Sequence, residues 1–506
     1  MPPQLALLLT VAFIAVLFIR DFREKANVTG ALWLPFFWVT ICGGGSRYFS
    51  QWLNMFGFHA GAISVEDGSP VDAVFNASLI FGGLLVLQRR RVSVSRFIRN
   101  NVWITIFLAY CLLAVAWSDY PFVSVKRWTK LLGDPVMALV LLTEPEPMEA
   151  LTRTMKRCAY FLLPLSVMFI KYFPYIGRTF DSWTGQPSNT GVATDKNELG
   201  FDCWILGAVL VWHFLHVLRW ERGKKRRDEM LLCAGLMGMD LWLLRMAHSA
   251  SSLVAFVLAT GTILFLGMRW VNKRSIGVYI LTGGAAAAIL LFGLGMSDTV
   301  IHLLGRNDTL TGRTDIWRAL WHWDVNPVVG AGYEAFWLGD RRLAVQQEVL
   351  PFLNEAHNGY LETYLNLGYL GVLLTAAVLF STYAKSRGAL FRNFELGRFR
   401  LAYLIAFVVY NWTEAAFRMN SFPFFMLFVV AIDYPMRRVP AAEPVEARAR
   451  IFTTETMLME PRPQPYWPEH GVITPNEYVI EFIQKNPQWD WRLALPGDIG
   501  ANPGFR

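Results

Sequence analysis

Glu355-Ala356-His357-Asn358-Gly359-Tyr360-Leu361-Glu362 closes a long polar interval set between two groups of apolar runs. The interval spans about 297–367 and also holds Thr311-Gly312-Arg313-Thr314-Asp315-Ile316-Trp317. The runs on either side decide the fold. The chain is 54% hydrophobic and 17% charged, with a mean hydropathy of +0.33, whereas soluble domains are nearer a quarter charged. Apolar runs lie near 5–19, 31–45, 73–88, 102–117, 129–143, 158–173, 199–218, 230–247, 251–268, 276–296, 368–384, 401–412 and 422–436. Their lengths approach what crosses ~30 Å of hydrocarbon. Backbone in lipid must satisfy its own hydrogen bonds, so each run predicts a helix. The expected fold is an all-α polytopic membrane protein of about 12–13 transmembrane helices with one large, partly helical loop.

Charge fixes an expected orientation. Alternate connections carry Arg20 and Arg23; Arg89, Arg90 and Arg91; Arg153, Lys156 and Arg157; Arg219 to Arg227; Arg269, Lys273 and Arg274; and Lys385 to Arg400. The intervening connections are poor in Lys and Arg. By the positive-inside rule the basic set is cytoplasmic, which puts 46–72, 118–128, 174–198, 297–367 and 413–421 outside. The net charge of +8 then reports topology and contact with anionic lipid rather than a nucleic-acid partner. The first run has no basic residue before it and Arg20 after it, the reverse of a signal peptide, so it is expected to be retained. The five cysteines fall in or beside apolar runs, without metal or disulfide spacing, and read as small core residues.

Four segments follow: transmembrane helices over 1–296, the large loop over 297–367, further transmembrane helices over 368–436, and a Pro-rich, charged tail over 437–506. The tail predicts disorder, with a short amphipathic piece from Glu477 to Ile483. No internal repeat is evident, which lowers the weight of an inverted-repeat transporter.

Within the loop, Thr311 and Thr314 are capping candidates for a helix through Trp317, Leu320 and Trp321 that ends at Asn326-Pro327. Arg313 then stands at the helix N-terminus, against the dipole, where a cation is disfavoured by ~0.3–1 kcal/mol. An anion received by both resolves the conflict, since free N–H groups and a guanidinium fork suit phosphate oxygens. A salt bridge to Asp308 or Asp315 is the plainer alternative. His357 opens a second expected helix through Leu361, Tyr364 and Leu365, ended near Gly368, which fixes it at the membrane margin. An imidazole there is suited to take a proton from an attacking hydroxyl; a structural histidine is the alternative. Asn358 and Glu362 share a face, and Glu362 is turned away from His357. Arg127, Arg178, Lys196 and Asn197 stand near external span ends, as anchors or as part of a cationic surface for a diphosphate headgroup. Trp317 and the other loop aromatics suit the membrane interface or sugar stacking. No Asp-x-Asp pair, His cluster or Gly-rich nucleotide loop occurs, which argues against metal and nucleotide-sugar chemistry.

Taken together, Trp117-Ser118 to Arg127, Thr190-Gly191 to Gly200, Gly312-Arg313 to Trp317, Pro327-Val328-Val329-Gly330-Ala331-Gly332-Tyr333 and Ala356-His357-Asn358 to Gly371 resemble the O-antigen ligase and polymerase superfamily, particularly its exopolysaccharide-polymerase-like members. The resemblance implies a bacterial inner-membrane glycosyltransferase with a periplasmic loop and a cytoplasmic C-terminus. It further implies an undecaprenyl-diphosphate-linked oligosaccharide donor, a saccharide acceptor, no cofactor and no metal, and export or chain-length partners. By motif match, His357 takes the base role and Arg313 the diphosphate role. Ligases of this family usually carry Arg directly after a Ser near the start of a span; here Ala247-His248-Ser249-Ala250-Ser251-Ser252 has none. Arg245, His248, Lys196 or Arg127 must then supply the second cation, which favours an inverting polymerase. Ligation to lipid A core is the alternative within the class, and a transporter the alternative outside it.

Overall fold

The computed structural model describes residues 1–24, 26–42, 49–55, 57–58, 68–180, 185–288, 313–419 and 421–434. Thr311, Gly312, residues 46–48, 56 and 59–67 of the external stretch 46–72, and the expected tail with its 477–483 segment lie outside the described residues. In chain order the longer helices are α1 (Pro3–Arg23), α2 (Pro70–Arg89), α3 (Val102–Leu113), α4 (Pro121–Leu131), α5 (Gly133–Leu142), α6 (Pro147–Tyr172), α7 (Lys196–Trp220), α8 (Gly223–Ala247), α9 (Ala250–Gly267), α10 (Ile276–Ala288), α11 (Arg313–Trp321), α12 (Gly339–Glu348), α13 (Gly359–Arg392), α14 (Phe394–Tyr410) and α15 (Phe422–Ala431). Beside them stands one antiparallel hairpin, β1 (Arg178–Phe180) with β2 (Pro187–Asn189), in which Arg178 faces Asn189. The chain is an all-α polytopic membrane protein.

Among the described residues α1, α2, α7, α8, α9 and α13 are long and apolar enough to cross a membrane. Val94–Asn100 with Val102–Trp117, bent by 104°, makes a seventh if counted as one broken span. The run at 276–296 is described only as far as Ala288, and the remaining expected runs form shorter or more charged helices among the described residues. The runs at 129–143 and 422–436 are α5 and α15, ten residues each, about 15 Å long at 1.5 Å per residue. Both are almost wholly buried, so protein rather than lipid surrounds their ends.

Part of the basic-side charge is internal. Asp21 of α1 receives Arg153 at 2.9 Å and Arg157 at 2.8 Å from α6. Glu229 of α8 receives Arg20 at 2.6 Å, His213 of α7 at 2.9 Å, and Lys156. Arg153, Lys156 and Arg157 are all buried. These cations tie α1, α6, α7 and α8 together as well as marking one end of the bundle. Cys111, Cys158, Cys203 and Cys233 are buried and free, as expected of small core residues.

The loop before α13 carries its own apolar core. Ile316 and Leu320 of α11, Val345 of α12, and Phe336, Trp337, Leu353, Leu361 and Leu365 pack as one cluster. The Pro327–Tyr333 stretch stitches it to α13. At Gly368, with φ 64°, α13 breaks, and Tyr369 and Leu370 donate to the carbonyls of Pro327 (2.8 Å) and Val328 (3.1 Å). Ala331 and Gly332 donate in turn to the carbonyls of Leu365 and Asn366, both at 3.0 Å. A Cβ on Gly368 would strike the Val328 carbonyl, so the break needs glycine.

Candidate functional site

Arg313 begins α11, as the sequence predicts, and is 8% exposed. Its Nη2 donates to Glu414 Oε1 at 2.7 Å and its Nη1 to the Thr413 carbonyl. Of the alternative partners, Asp315 pairs with Arg318 at 3.1 Å, and Asp308 lies outside the described residues. His357 stands just before α13 with φ 48°, a left-handed backbone that places the imidazole off the helix. Asn358 is the cap, its Oδ1 accepting from Tyr360 and Leu361 N–H at 3.0 Å each. His357 Nδ1 lies 2.8 Å from Glu355 Oε1 and 3.7 Å from Glu414 Oε2. Arg418 Nη1 reaches Glu355 Oε2 at 2.8 Å. Two carboxylates thus gather three cationic side chains from α11, the loop before α13, and the 411–419 connection.

Glu414 is the hinge of the cluster. It bonds Arg313, faces His357, and accepts from Ser251 Oγ at 3.2 Å; Thr413 Oγ1 donates to the same Ser251 at 2.8 Å. Ser251 lies in the stretch that lacks the ligase-type arginine, so hydroxyls on α9 support the acid instead. The carbonyls of Asn411 and Glu414 hold Gly359 N–H at 2.8 and 3.1 Å, which docks α13 onto this connection.

Electrostatics follow from the pairing. Burial favours neutral imidazole, but Glu355 and Glu414 outweigh it and push the His357 pKa up to about 10. Burial alone would raise the two carboxyls. His357 with the Arg418 and Arg313 guanidinium groups instead pulls Glu355 below the usual carboxylate range, and Arg313 with His357 does the same for Glu414. Burial works against the Arg313 charge, and Glu414 reverses that. Glu355, His357 and Glu414 present ligand atoms close enough to hold a metal ion, yet Arg313 and Arg418 already neutralise both carboxylates.

Other residues singled out in the sequence divide in two. Trp317 and Glu362 stand behind the site. Trp317 Nε1 donates to the Ala356 carbonyl at 2.9 Å. Glu362 accepts from Ala356 N–H (3.0 Å), Trp337 Nε1 (2.7 Å) and Asn366 Nδ2 (3.0 Å), so it fixes the loop that presents His357 without touching the imidazole. Lys196 and Asn197 open α7 beside Asp195, whose charge is felt by Glu355 and Glu414. The rest are not brought to the cluster. Arg127 donates to the Glu334 carbonyl, exposed Arg178 to the Ile170 carbonyl at 3.1 Å, and Arg245 is exposed at the end of α8. Glu355, Glu414 and Arg418 were missed as site residues. The available signal was an acid and a base in a short connection between two apolar runs on the same side as His357.

Comparisons with known proteins agree with the motifs. Residues 235–376 match the family described as O-Antigen ligase. The chain is also 27% identical over 296 residues to Exopolysaccharide production protein ExoQ of Rhizobium meliloti (strain 1021), covering 56% of this chain and 65% of that protein. The chain therefore matches just under two thirds of that relative's length. The two findings support a membrane protein of the O-antigen ligase and polymerase type. The family match includes Arg313 and His357 and stops before Glu414 and Arg418.

Proposed function

We propose that this chain is an inner-membrane glycosyltransferase that polymerises undecaprenyl-diphosphate-linked oligosaccharide units on the periplasmic side. The observation that carries the reading is the convergence of Arg313, His357 and Arg418 on Glu355 and Glu414 at the margin of the spans. An acceptor sugar hydroxyl attacks the anomeric carbon of the donor. The bond to the diphosphate oxygen breaks with its electron pair, and Arg313 with the N-terminus of α11 stabilises the charge that develops there. One displacement inverts the anomeric centre. Three cationic side chains face two carboxylates, so with His357 charged the cluster offers one net positive charge to the diphosphate, and a metal-independent reaction is part of the proposal.

His357 is the candidate base, and its partners set a condition on that role. While Glu355 and Glu414 hold it charged, it cannot accept the hydroxyl proton and instead adds to the cation field facing the diphosphate. It becomes a base once its Nε2 proton is lost to solvent, with Nδ1–H still bonded to Glu355. A small apolar cleft is lined by Ile104, Phe107, Val378, Phe417, Phe424 and Phe428. Its Phe417 packs on Tyr360 with ring centres 5.7 Å apart, three residues beyond Glu414.

A chromosomal His357→Ala strain, with membrane protein level verified by blot, tests the reading. Single repeat units left on the lipid carrier are expected. Long chains stranded on the carrier and absent from lipid A core would support ligation, the second reading, which the O-Antigen ligase family match favours. Normal polymer at normal protein level would overturn both.

A further inference from the structure

Two carboxyl groups inside the spans belong to no part of this chemistry. Asp202 of α7 is 2% exposed and Asp240 of α8 is 1% exposed. All four of their side-chain oxygens are buried without a hydrogen-bond partner among the described residues. The helices touch here: a Cβ on Gly207 of α7 would collide with Asp240 Oδ2, so the carboxyl lies against bare α7 backbone. The charged groups acting on Asp202 are Glu198, Asp240 and Asp195, all acidic, and none is resolved for Asp240. From α6 the titratable neighbour is Cys158 and from α7 it is Cys203. Helix α9 presents the side chains of Ser249, Ser252 and Phe256 to α7. Helix α14 sets Tyr403 and Tyr410 against Trp204.

An ionised carboxylate without a cation is expensive at this depth, and natural spans keep acidic residues chiefly on ion or proton routes. A line of acids leads to this pair from the outer margin. Asp195 is exposed and caps α7, accepting from Asn197 and Glu198 N–H at 2.7 and 3.0 Å. Glu198 is half-buried and takes Thr194 N–H at 2.9 Å. Asp202 follows four residues later on the same face of α7. Exposure therefore falls stepwise from solvent to the buried pair.

We propose that Asp202 and Asp240 form a proton-binding site within the spans, exchanging protons with the outer margin through Glu198 and Asp195. The site is independent of the glycosyl-transfer reading. Four oxygens from two side chains are too few to replace the shell of a sodium ion, whereas each carboxyl needs only one proton to become neutral.

Infrared spectroscopy of the purified full-length protein in liposomes, at neutral pH, tests this. A protonated-carboxyl band is expected that shifts on transfer to D2O. Asp202→Asn and Asp240→Asn should each lose part of it, and Glu198→Gln should keep the band but slow the deuterium shift. The wild-type spectrum carries the test even if a variant misfolds, because absence of any such band overturns the proposal. A band unchanged in both Asn variants overturns it as well. Loss of the band on exchanging potassium for sodium would make the pair a sodium site and overturn the proton assignment.

Discussion

The outer cluster of Arg313, His357, Glu355, Glu414 and Arg418 and the cluster at the opposite end of α7 use the same chemistry to different ends. Each sets a histidine among carboxylates and cations, and each could present three ligand atoms to a metal. At the inner cluster every group projects from a long helix: Asp21 from α1, Lys156 from α6, His213 from α7 and Glu229 from α8. Asp21, Lys156 and Glu229 are buried and His213 nearly so, and the pairs bind helices to one another. At the outer cluster His357, Glu355, Glu414 and Arg418 stand on short connections, with His357 on a left-handed backbone. Glu355 and His357 keep part of their surface open, at 18% and 14% exposed. Charges held in helices tie the bundle together, whereas the charges on connections at the margin are those proposed to meet an anion.

The comparison breaks most visibly if Asp21→Asn leaves stability intact. Removing that carboxylate strands Arg153 and Arg157 in the interior, and a loss of about 3–5 kcal/mol is expected, read as a large drop in melting temperature with the rate per folded molecule unchanged. Arg313→Ala should do the reverse. Transfer to acceptor by purified protein should fall about 10²–10³-fold, with a smaller change in melting temperature; equal loss in both measurements would make Arg313 structural.

Glu414→Gln keeps shape and removes the charge shared by Arg313 and His357. A loss of about 1.5–3 kcal/mol in transition-state binding is expected, and the His357 ionisation should move down toward its ordinary range. That shift, followed by NMR of the ring protons, is what a purely structural Glu414 would not produce.

The pH dependence sharpens the same point. The folded His357 pKa, raised to about 10, lies above its unfolded value of about 6.5. The stability it contributes is therefore complete below the unfolded value and disappears as pH rises through about 10. The transfer rate separates its roles. A charged imidazole that holds diphosphate gives a rate that falls as pH approaches 10, whereas a neutral base gives a rate that climbs toward it. The smallest effect is expected at His213. Glu229 keeps Arg20 and Lys156 without it, so His213→Ala should cost about 1 kcal/mol and leave transfer unchanged, and chelation should alter neither quantity.

Much of this was legible in residue order. The apolar runs gave helices at α1, α2, α7, α8, α9 and α13, and α11 starts at Arg313 as expected, whereas the helix expected to open at His357 starts at Gly359, with Asn358 as its cap and His357 outside it. Gly368 ended its helix segment as expected. Less legible was the length of α5 and α15, because an apolar run reads alike whether it meets lipid or other helices. Glu414 was invisible as a site residue for a related reason. It lies 101 residues from Arg313, and nothing local to either one records the pairing.

The sequence by itself determined a helical membrane protein, the loop that carries Arg313 and His357, and the family its motifs resemble, because periodicity, length and charge are local properties. Only the tertiary structure decided that Glu414 lies between Arg313 and His357, that Arg418 pairs with Glu355 beside them, and that two carboxylates favour the charged form of His357. Ionisation depends on which groups lie within a few ångströms, and the fold alone sets that.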